Sequence, residues 1–149
     1  MMNWLKDNVT AARARMTEEM TKYKNRDFMD AVVAACAVVA AADGEVSSSE
    51  KQKMIGYMQT SDELKVFKMD DVIASFNAAI AKFEFDATIG QAEALKKIAK
   101  AKGDEGASRL LVRVCCAIGA ADGDFDAHER AAVSLICTEL GLAPSEFDL

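Results

Sequence analysis

The stretch "DFMDAVVAACAVVAAADGEVSSSEK", residues 27–51, decides the fold class of this chain. Its first part is rich in alanine and apolar almost all round, which predicts a central buried helix over about residues 27–42. Gly44 is a natural stop signal at a helix C-terminus. The residues 47–50, "SSSE", fit a capping box with Ser47 as N-cap, and a second helix should follow over about residues 48–59. The stretch therefore predicts two helices joined by an acidic loop.

The rest of the sequence predicts further helices. A single proline, abundant alanine and only short β-branched or aromatic clusters are typical of an all-α protein. A chain of 149 residues, half of them apolar, suits one domain with a real core. We therefore expect a single compact all-α domain over residues 1–149 with about seven helices. Beside the first pair, the predicted helices cover about residues 3–24, 70–83, 87–100, 107–121 and 127–141.

The first helix pair has a counterpart 79 residues further along the chain. This shift aligns Cys36 with Cys115, Asp43 with Asp122, Gly44 with Gly123, and Glu50 with Glu129. Duplication of a helical unit is the simplest account, with repeat halves at about residues 27–83 and 104–149 around two central buried helices. If those two helices run parallel, both acidic loops lie at one end. If they run antiparallel, the loops lie apart.

The shared loop pattern, A-A-D-G-[E/D]-[V/F]-x-x-x-E, has two interpretations. In the first, the loop only joins helices: Gly takes a left-handed turn, Glu completes a cap, and the acids suit the positive start of the next helix. In the second, the loop binds a hard divalent cation such as Ca²⁺ or Mg²⁺, which prefers carboxylate and carbonyl oxygens. The candidate ligands are Asp43, Glu45, Glu50, Asp122, Asp124, Asp126 and Glu129.

Two observations restrict the metal interpretation. The loop is not an EF-hand, because Gly follows the first Asp at once instead of standing at position 6. Zn²⁺ is less favoured than a hard cation, since His128 is the only histidine and no thiol stands near it in sequence. We expect His128 to be solvated in the first turn of its helix.

Charge and amphipathicity set expectations about partners. The net charge of −6 argues against a nucleic-acid partner. Residues 1–26 nevertheless carry about +3, and the remainder about −9. The amphipathic helix over residues 3–24 has Trp4 near its start and arginines on its polar face. It either docks on the domain or lies on an anionic membrane surface.

The four cysteines predict a structural role. Cys36, Cys115, Cys116 and Cys137 lie in apolar helical runs, and none belongs to a CxxC motif, which is typical of buried thiols in a reducing cytosol. No secretory signal and no apolar run long enough for a transmembrane helix is recognisable. The sequence also has no phosphate-binding Gly-rich loop and no Ser/His/Asp or Cys/His set, so nothing in it predicts an enzyme.

Several stretches carry a family resemblance that extends over nearly the whole chain. They are "YKN" and "FM" within residues 23–29, "ADGEVSSSEKQKMIGYMQTSDELKVF" at residues 42–67, "FEFD" at residues 83–86, and "ADGDFDAHE" and "LGLAPSEF" within residues 121–147. With these stretches the chain resembles the TerB family of tellurite resistance proteins.

The resemblance implies an all-helical duplicated fold in the bacterial cytosol and a role in resistance to tellurite, phage and colicins. It implies a non-enzymatic protein that is peripherally associated with the inner membrane, with the membrane protein TerC and other Ter proteins as partners. It also implies that the acidic loops bind metal through Asp43, Glu45 and Glu50 and through Asp122, Asp124 and Glu129. The expected function is therefore an adaptor of the Ter stress system. The alternatives are a structural scaffold whose loops are only caps, and a thiol redox protein acting on tellurite.

Overall fold

All secondary structure in the described residues is helical, which confirms the all-α prediction. The computed structural model describes residues 15, 18–44, 46–120 and 125–149. Helix α1 is described over residues 18–22. The other α-helices are α2 (Arg26–Ala40), α3 (Ser48–Thr60), α4 (Met69–Phe85), α5 (Ala87–Ile98), α6 (Glu105–Ala120) and α7 (Ala127–Glu139). Short 3₁₀ helices span Asp62–Val66, Ala99–Ala101 and Pro144–Phe147.

Helices α2 and α6 form the centre of the molecule. Each buries eleven residues along most of its length, whereas α3 buries only Met54 and Met58. Helix α2 packs against α4, α5, α6 and α7, so the other helices surround it. The prediction of two central buried helices is confirmed. That the fold arose from a duplicated unit, with halves at residues 27–83 and 104–149, stays a prediction.

Side-chain caps place the helix starts where the sequence predicts them. The Ser47 hydroxyl accepts a hydrogen bond from the Glu50 amide at 3.1 Å, as the predicted N-cap should. The Asp86 carboxylate accepts from the amides of Thr88 and Ile89 at 2.9 and 3.1 Å. These caps satisfy amides that have no partner within their own helix.

Several helix ends differ from the predicted bounds for local reasons. Helix α2 ends two residues early, because the chain tightens into a turn in which the Ala42 amide donates to the Val39 carbonyl at 3.2 Å. Helix α4 extends two residues further, to Phe85, and α5 passes into a 3₁₀ turn after Ile98. Helix α6 starts two residues early, because Asp104 accepts from the Ala107 amide at 3.0 Å and caps it.

The end of α7 has Schellman geometry. Gly141 has a φ of 75°, in the left-handed region that glycine tolerates. The Leu142 amide donates to the Cys137 carbonyl at 2.8 Å, and the Gly141 amide donates to the Thr138 carbonyl at 3.1 Å. Leu142 packs partly buried against the core. This pair of bonds and this apolar contact define the motif.

The segment after α3, which lies between two predicted helices, contributes to the core. Ser61, Glu63 and Leu64 are buried within or beside the 3₁₀ helix Asp62–Val66. The Ser61 hydroxyl donates to the Glu63 carboxylate at 2.7 Å. The hydrogen bond allows two polar side chains to be buried in a stretch whose composition resembles a loop.

The described part of α1 docks on the body of the protein. Met20 is fully buried, the Arg113 guanidinium lies 3.0 Å from the Glu19 carboxylate, and the Tyr23 hydroxyl donates to Asp104 at 3.4 Å. Most of the predicted helix over residues 3–24, including Trp4, lies outside the described residues. Among the helices of the described chain, none is long and apolar enough to span a bilayer.

Two glycines offer a matched test of helix packing. A Cβ at Gly90 of α5 would lie 2.6 Å from the backbone N and Cα of Phe83 in α4. Gly90→Ala should therefore lower the free energy of unfolding by about 2 kcal/mol through overpacking. A Cβ at Gly56 of α3 meets open space, so Gly56→Ala should raise it by roughly 0.5–1 kcal/mol. Urea unfolding of both variants measures the difference, and equal effects would contradict the close α4–α5 contact.

Candidate functional site

The two acidic loops contribute to the same cavity, which has a volume of about 190 Å³. Asp43 from the first loop and Glu50 from α3 line one side of it. Asp126 and Glu129, at the start of α7, line the other. The question that the sequence leaves open is thereby answered: the C-terminal ends of α2 and α6 are close enough that residues following both helices meet.

Four of the seven predicted ligands therefore come together, namely Asp43, Glu50, Asp126 and Glu129. The other three, Glu45, Asp122 and Asp124, lie outside the described residues. Asp43 and Asp126 are exposed, and Glu50 and Glu129 are partly buried. The predicted metal site thus consists, in its described part, of four carboxylates from sequence positions up to 86 residues apart.

The first loop turns as predicted. Gly44 has a φ of 92°, which is strained for any residue with a side chain, and its amide donates to the Ala41 carbonyl at 3.0 Å. Val46 then packs partly buried against the core. The turn leaves Asp43 at its apex, lining the cavity, and leads directly into the Ser47 cap of α3.

Phe125, the residue before Asp126, packs its ring against a glycine of α6. The Phe125 ring lies against Gly119 of α6, so closely that a Cβ there would stand 2.6 Å from the ring carbon Cδ2. Asp126 follows and forms the predicted capping box: its carboxylate accepts from the Glu129 amide at 2.8 Å, and the Glu129 carboxylate accepts from the Asp126 amide at 3.3 Å. Both cavity carboxylates of α7 thus also stabilise its first turn.

The cavity contains further side chains that sequence reasoning left out. Lys53 and Tyr57 of α3 line it, with the Lys53 ammonium 6.0 Å from the centre of the Tyr57 ring. His128 also lines it and is exposed, as predicted. Lys53 and Tyr57 stand three and seven residues after Glu50, so helical periodicity puts all three on one face and would have identified them.

This arrangement is electrostatically suited to a cation without being a preformed ion cage. Four carboxylates face one ammonium in the same cavity, which leaves an excess of negative charge. Within the ranges that the structure describes, no three His, Cys, Asp or Glu side chains are grouped closely enough to hold a metal ion. An ion in this cavity would therefore need carboxylates to draw together, or ligands from the remaining loop positions.

The four thiols are placed where they cannot react readily. All four cysteines are buried and free of disulfides. Burial raises the pKa of Cys36 to about 12. Burial, with the Cys137 thiol nearby, raises the pKa of Cys116 to about 12, and burial raises that of Cys137 to about 11. The pKa of Cys115 is raised as well, by burial and by the other three thiols around it. The predicted buried thiols are confirmed.

Comparison with known proteins gives a consistent family match. Residues 29–149 match the family model described as "Tellurite resistance protein TerB". A protein named "Tellurium resistance protein TerB", from Alcaligenes sp, is 44% identical over 110 residues, which cover 74% of this chain and 90% of that protein. No solved structure gives a significant match.

The contact between Phe125 and Gly119 predicts a specific effect on the second loop. Gly119→Ala should displace the ring and lower the free energy of unfolding by about 2 kcal/mol. The residues that stand 79 positions before Gly119 and Phe125 are Ala40 and Val46. Adding Phe125→Val should therefore recover stability, because the smaller side chain leaves room for the new methyl group.

A double-mutant cycle by urea unfolding measures this coupling, which we expect to be at least about 1 kcal/mol and favourable. If the two substitutions simply add, the ring does not depend on Gly119 for its position.

Proposed function

Since this chain belongs to the TerB family of tellurite resistance proteins, we propose that it is a non-enzymatic adaptor of the bacterial tellurite and stress resistance (Ter) system that responds to a divalent cation. The observation that supports this proposal most is the single cavity lined by carboxylates from both acidic loops. One ion there would connect the first loop and α3 to α7. Ion binding would thus affect elements from both halves of the chain.

The chemistry of the cavity favours Ca²⁺ or another hard divalent cation over a soft one. Carboxylates are the ligands that such ions prefer, and the buried thiols that a soft metal would require are not among the lining residues. The Lys53 ammonium partly offsets the negative charge of the cavity in the absence of an ion. A bound divalent cation would take over that role.

Capping and ion binding are compatible in these residues. A carboxylate offers about four lone-pair sites on its two oxygens. The Glu129 carboxylate uses one oxygen, Oε1, to accept from the Asp126 amide, and Asp126 uses Oδ1 to accept from the Glu129 amide. A carboxylate that accepts one hydrogen bond keeps other lone pairs, so capping by itself does not exclude coordination of a cation.

The alternative of a purely structural scaffold rests on the same hydrogen bonds. The capping box gives Asp126 and Glu129 a structural role without any ligand, and the Ser47 cap does the same for the start of α3. This scaffold would be an adaptor whose acidic loops shape the domain and whose surface alone recognises partners. Cation binding is what separates the two candidates.

A thiol redox protein is the less favoured alternative. A reactive cysteine is an accessible thiolate. Here each of the four thiols is buried, and burial raises its pKa, so each stays protonated and shielded near neutral pH.

The proposed setting is the cytoplasmic face of the inner membrane, with a TerC-like membrane protein and other Ter proteins as partners. The described end of α1 supports a particular form of contact. Met20 is committed to the core, whereas Arg15 and Lys22 are exposed. A membrane contact through residues 3–24 would therefore use basic side chains in this part of the helix, not the apolar stripe.

Calorimetric titration of the metal-stripped protein with Ca²⁺, Mg²⁺, Mn²⁺ and Zn²⁺ tests the cation proposal. We expect saturable binding of a hard cation in the micromolar range. The double variant Glu50→Gln with Glu129→Gln should lose it, because it removes one carboxylate charge from each side of the cavity.

The charge-matched control is Glu84→Gln with Glu93→Gln, two partly exposed ion-pair residues that do not line the cavity. This control should bind like the unmodified protein. If no ion gives heat, and the cavity variant keeps nearly the stability of the unmodified protein because glutamine can retain the capping hydrogen bond, then the loops are caps and the scaffold is the correct function.

Thiol labelling tests the redox alternative. In the folded protein at pH 8, Cys36, Cys115, Cys116 and Cys137 should all resist a maleimide for hours, because burial blocks access and keeps them protonated. In denaturant all four should react within minutes. Mass spectrometry counts the labelled thiols, and a single rapidly labelled cysteine in the folded protein would restore the redox interpretation.

A further inference from the structure

A basic groove lies between the start of α2 and the start of α4. It shares no lining residue with the acidic cavity. Lys24, Arg26 and Lys68 line it, together with a single carboxylate, that of Asp71. Its volume is about 200 Å³. Met29 and Phe67, which are buried, also line it. Three cationic side chains meeting at one depression is a local excess of positive charge on a protein whose net charge is −6.

Within the described residues, Arg26 is the ion-paired member of the three groove cations. Lys24 and Lys68 are exposed, and neither forms an ion pair within the part of the chain that the structure describes. The Arg26 guanidinium contacts the Asp30 carboxylate at 3.3 Å through Nε, which leaves its terminal nitrogens available. Its side chain is 66% exposed. The groove therefore presents several hydrogen-bond donors and no matching set of acceptors.

The helices that frame the groove add to its positive potential. The groove is lined by residues at the starts of both α2 and α4, and another depression is lined by Ala41, just after α2, and by Phe83 and Glu84 at the end of α4. The two helices therefore run in the same direction. Their positive dipole ends lie at the groove together, in addition to its three cationic side chains.

Lys68 differs from the N-cap residues of four other helices. Asn25, Ser47, Asp86 and Asp126 each accept a hydrogen bond as N-caps. Lys68 occupies the same position at α4 and makes no side-chain cap bond. A cation at a helix start is unfavourable both as a cap and for the dipole. Such a local conflict is expected where a residue serves function instead of stability.

We propose that this groove binds a phosphate group. Phosphate oxygens accept charge-assisted hydrogen bonds from lysine and arginine, and the guanidinium can offer two donors at once. The buried apolar side chains beside the cations lower the local dielectric constant, and a lower dielectric constant strengthens such hydrogen bonds. The phosphate is carried either by an anionic lipid headgroup or by a soluble molecule, and the site is independent of cation binding in the acidic cavity.

The full-length protein and three variants test this proposal with two probes. The probes are inorganic phosphate, titrated by NMR at constant ionic strength, and vesicles of phosphatidylcholine with or without phosphatidylglycerol, in a flotation assay. Lys24→Gln with Lys68→Gln should weaken binding by about tenfold or more. The charge-matched control, Lys96→Gln with Lys102→Gln, removes two exposed lysines that do not line the groove and should bind normally or nearly so.

The third variant, Lys68→Asp, separates binding from folding. It supplies α4 with an acceptor at its N-cap, so the Tm should rise by about 3 °C. It also places a negative charge in the groove, so phosphate or vesicle binding should be lost. A more stable protein that no longer binds cannot be explained by misfolding.

The outcomes discriminate between a soluble molecule and a lipid headgroup as the carrier of the phosphate. Binding of inorganic phosphate that the groove variants lose assigns a soluble phosphate ligand. Binding only to vesicles with phosphatidylglycerol, again lost in the groove variants, assigns a lipid headgroup. No binding of either probe, or equal losses in the groove and control variants, overturns the proposal.

Discussion

The packing of two apolar helices, α2 and α6, at the centre of the molecule is the constraint on which the rest of the structure depends. Both are rich in small residues, and of the eleven residues that each helix buries only Ser108 is polar. The chain therefore places its acidic turns directly after these helices. Because the turns that follow both helices reach one cavity, carboxylates that are 86 residues apart in sequence become neighbours.

The acidic cavity and the helix starts cannot be considered separately. Asp126 and Glu129 hold the first turn of α7 through reciprocal hydrogen bonds and at the same time line the cavity. Capping therefore fixes where these two carboxylates stand at the edge of the cavity. The Phe125 ring against Gly119 serves the same end from the other side, since it anchors the chain immediately before Asp126.

The acidic cavity and the basic groove lie at different places on this protein. The acidic cavity lies beyond the C-terminal ends of the central helices, whereas the basic groove lies at the N-terminal start of α2 and involves Lys24, Arg26 and Lys68. Lys24 and Arg26 belong to the net positive stretch of residues 1–26, whereas Lys68 joins them from a distant part of the sequence. An adaptor with two such regions could contact a cation and an anionic group at the same time.

The sequence by itself determined the helices, their caps and the central position of α2 and α6, because apolar periodicity and capping residues act over a few neighbouring positions. It also determined the family, through loop stretches such as the one at residues 42–67. Only the tertiary structure decided that residues following both α2 and α6 line one cavity, and that Lys68 and Lys24 line the same groove. These facts depend on the relative direction of helices that are distant in sequence, and a local pattern carries no information about that direction.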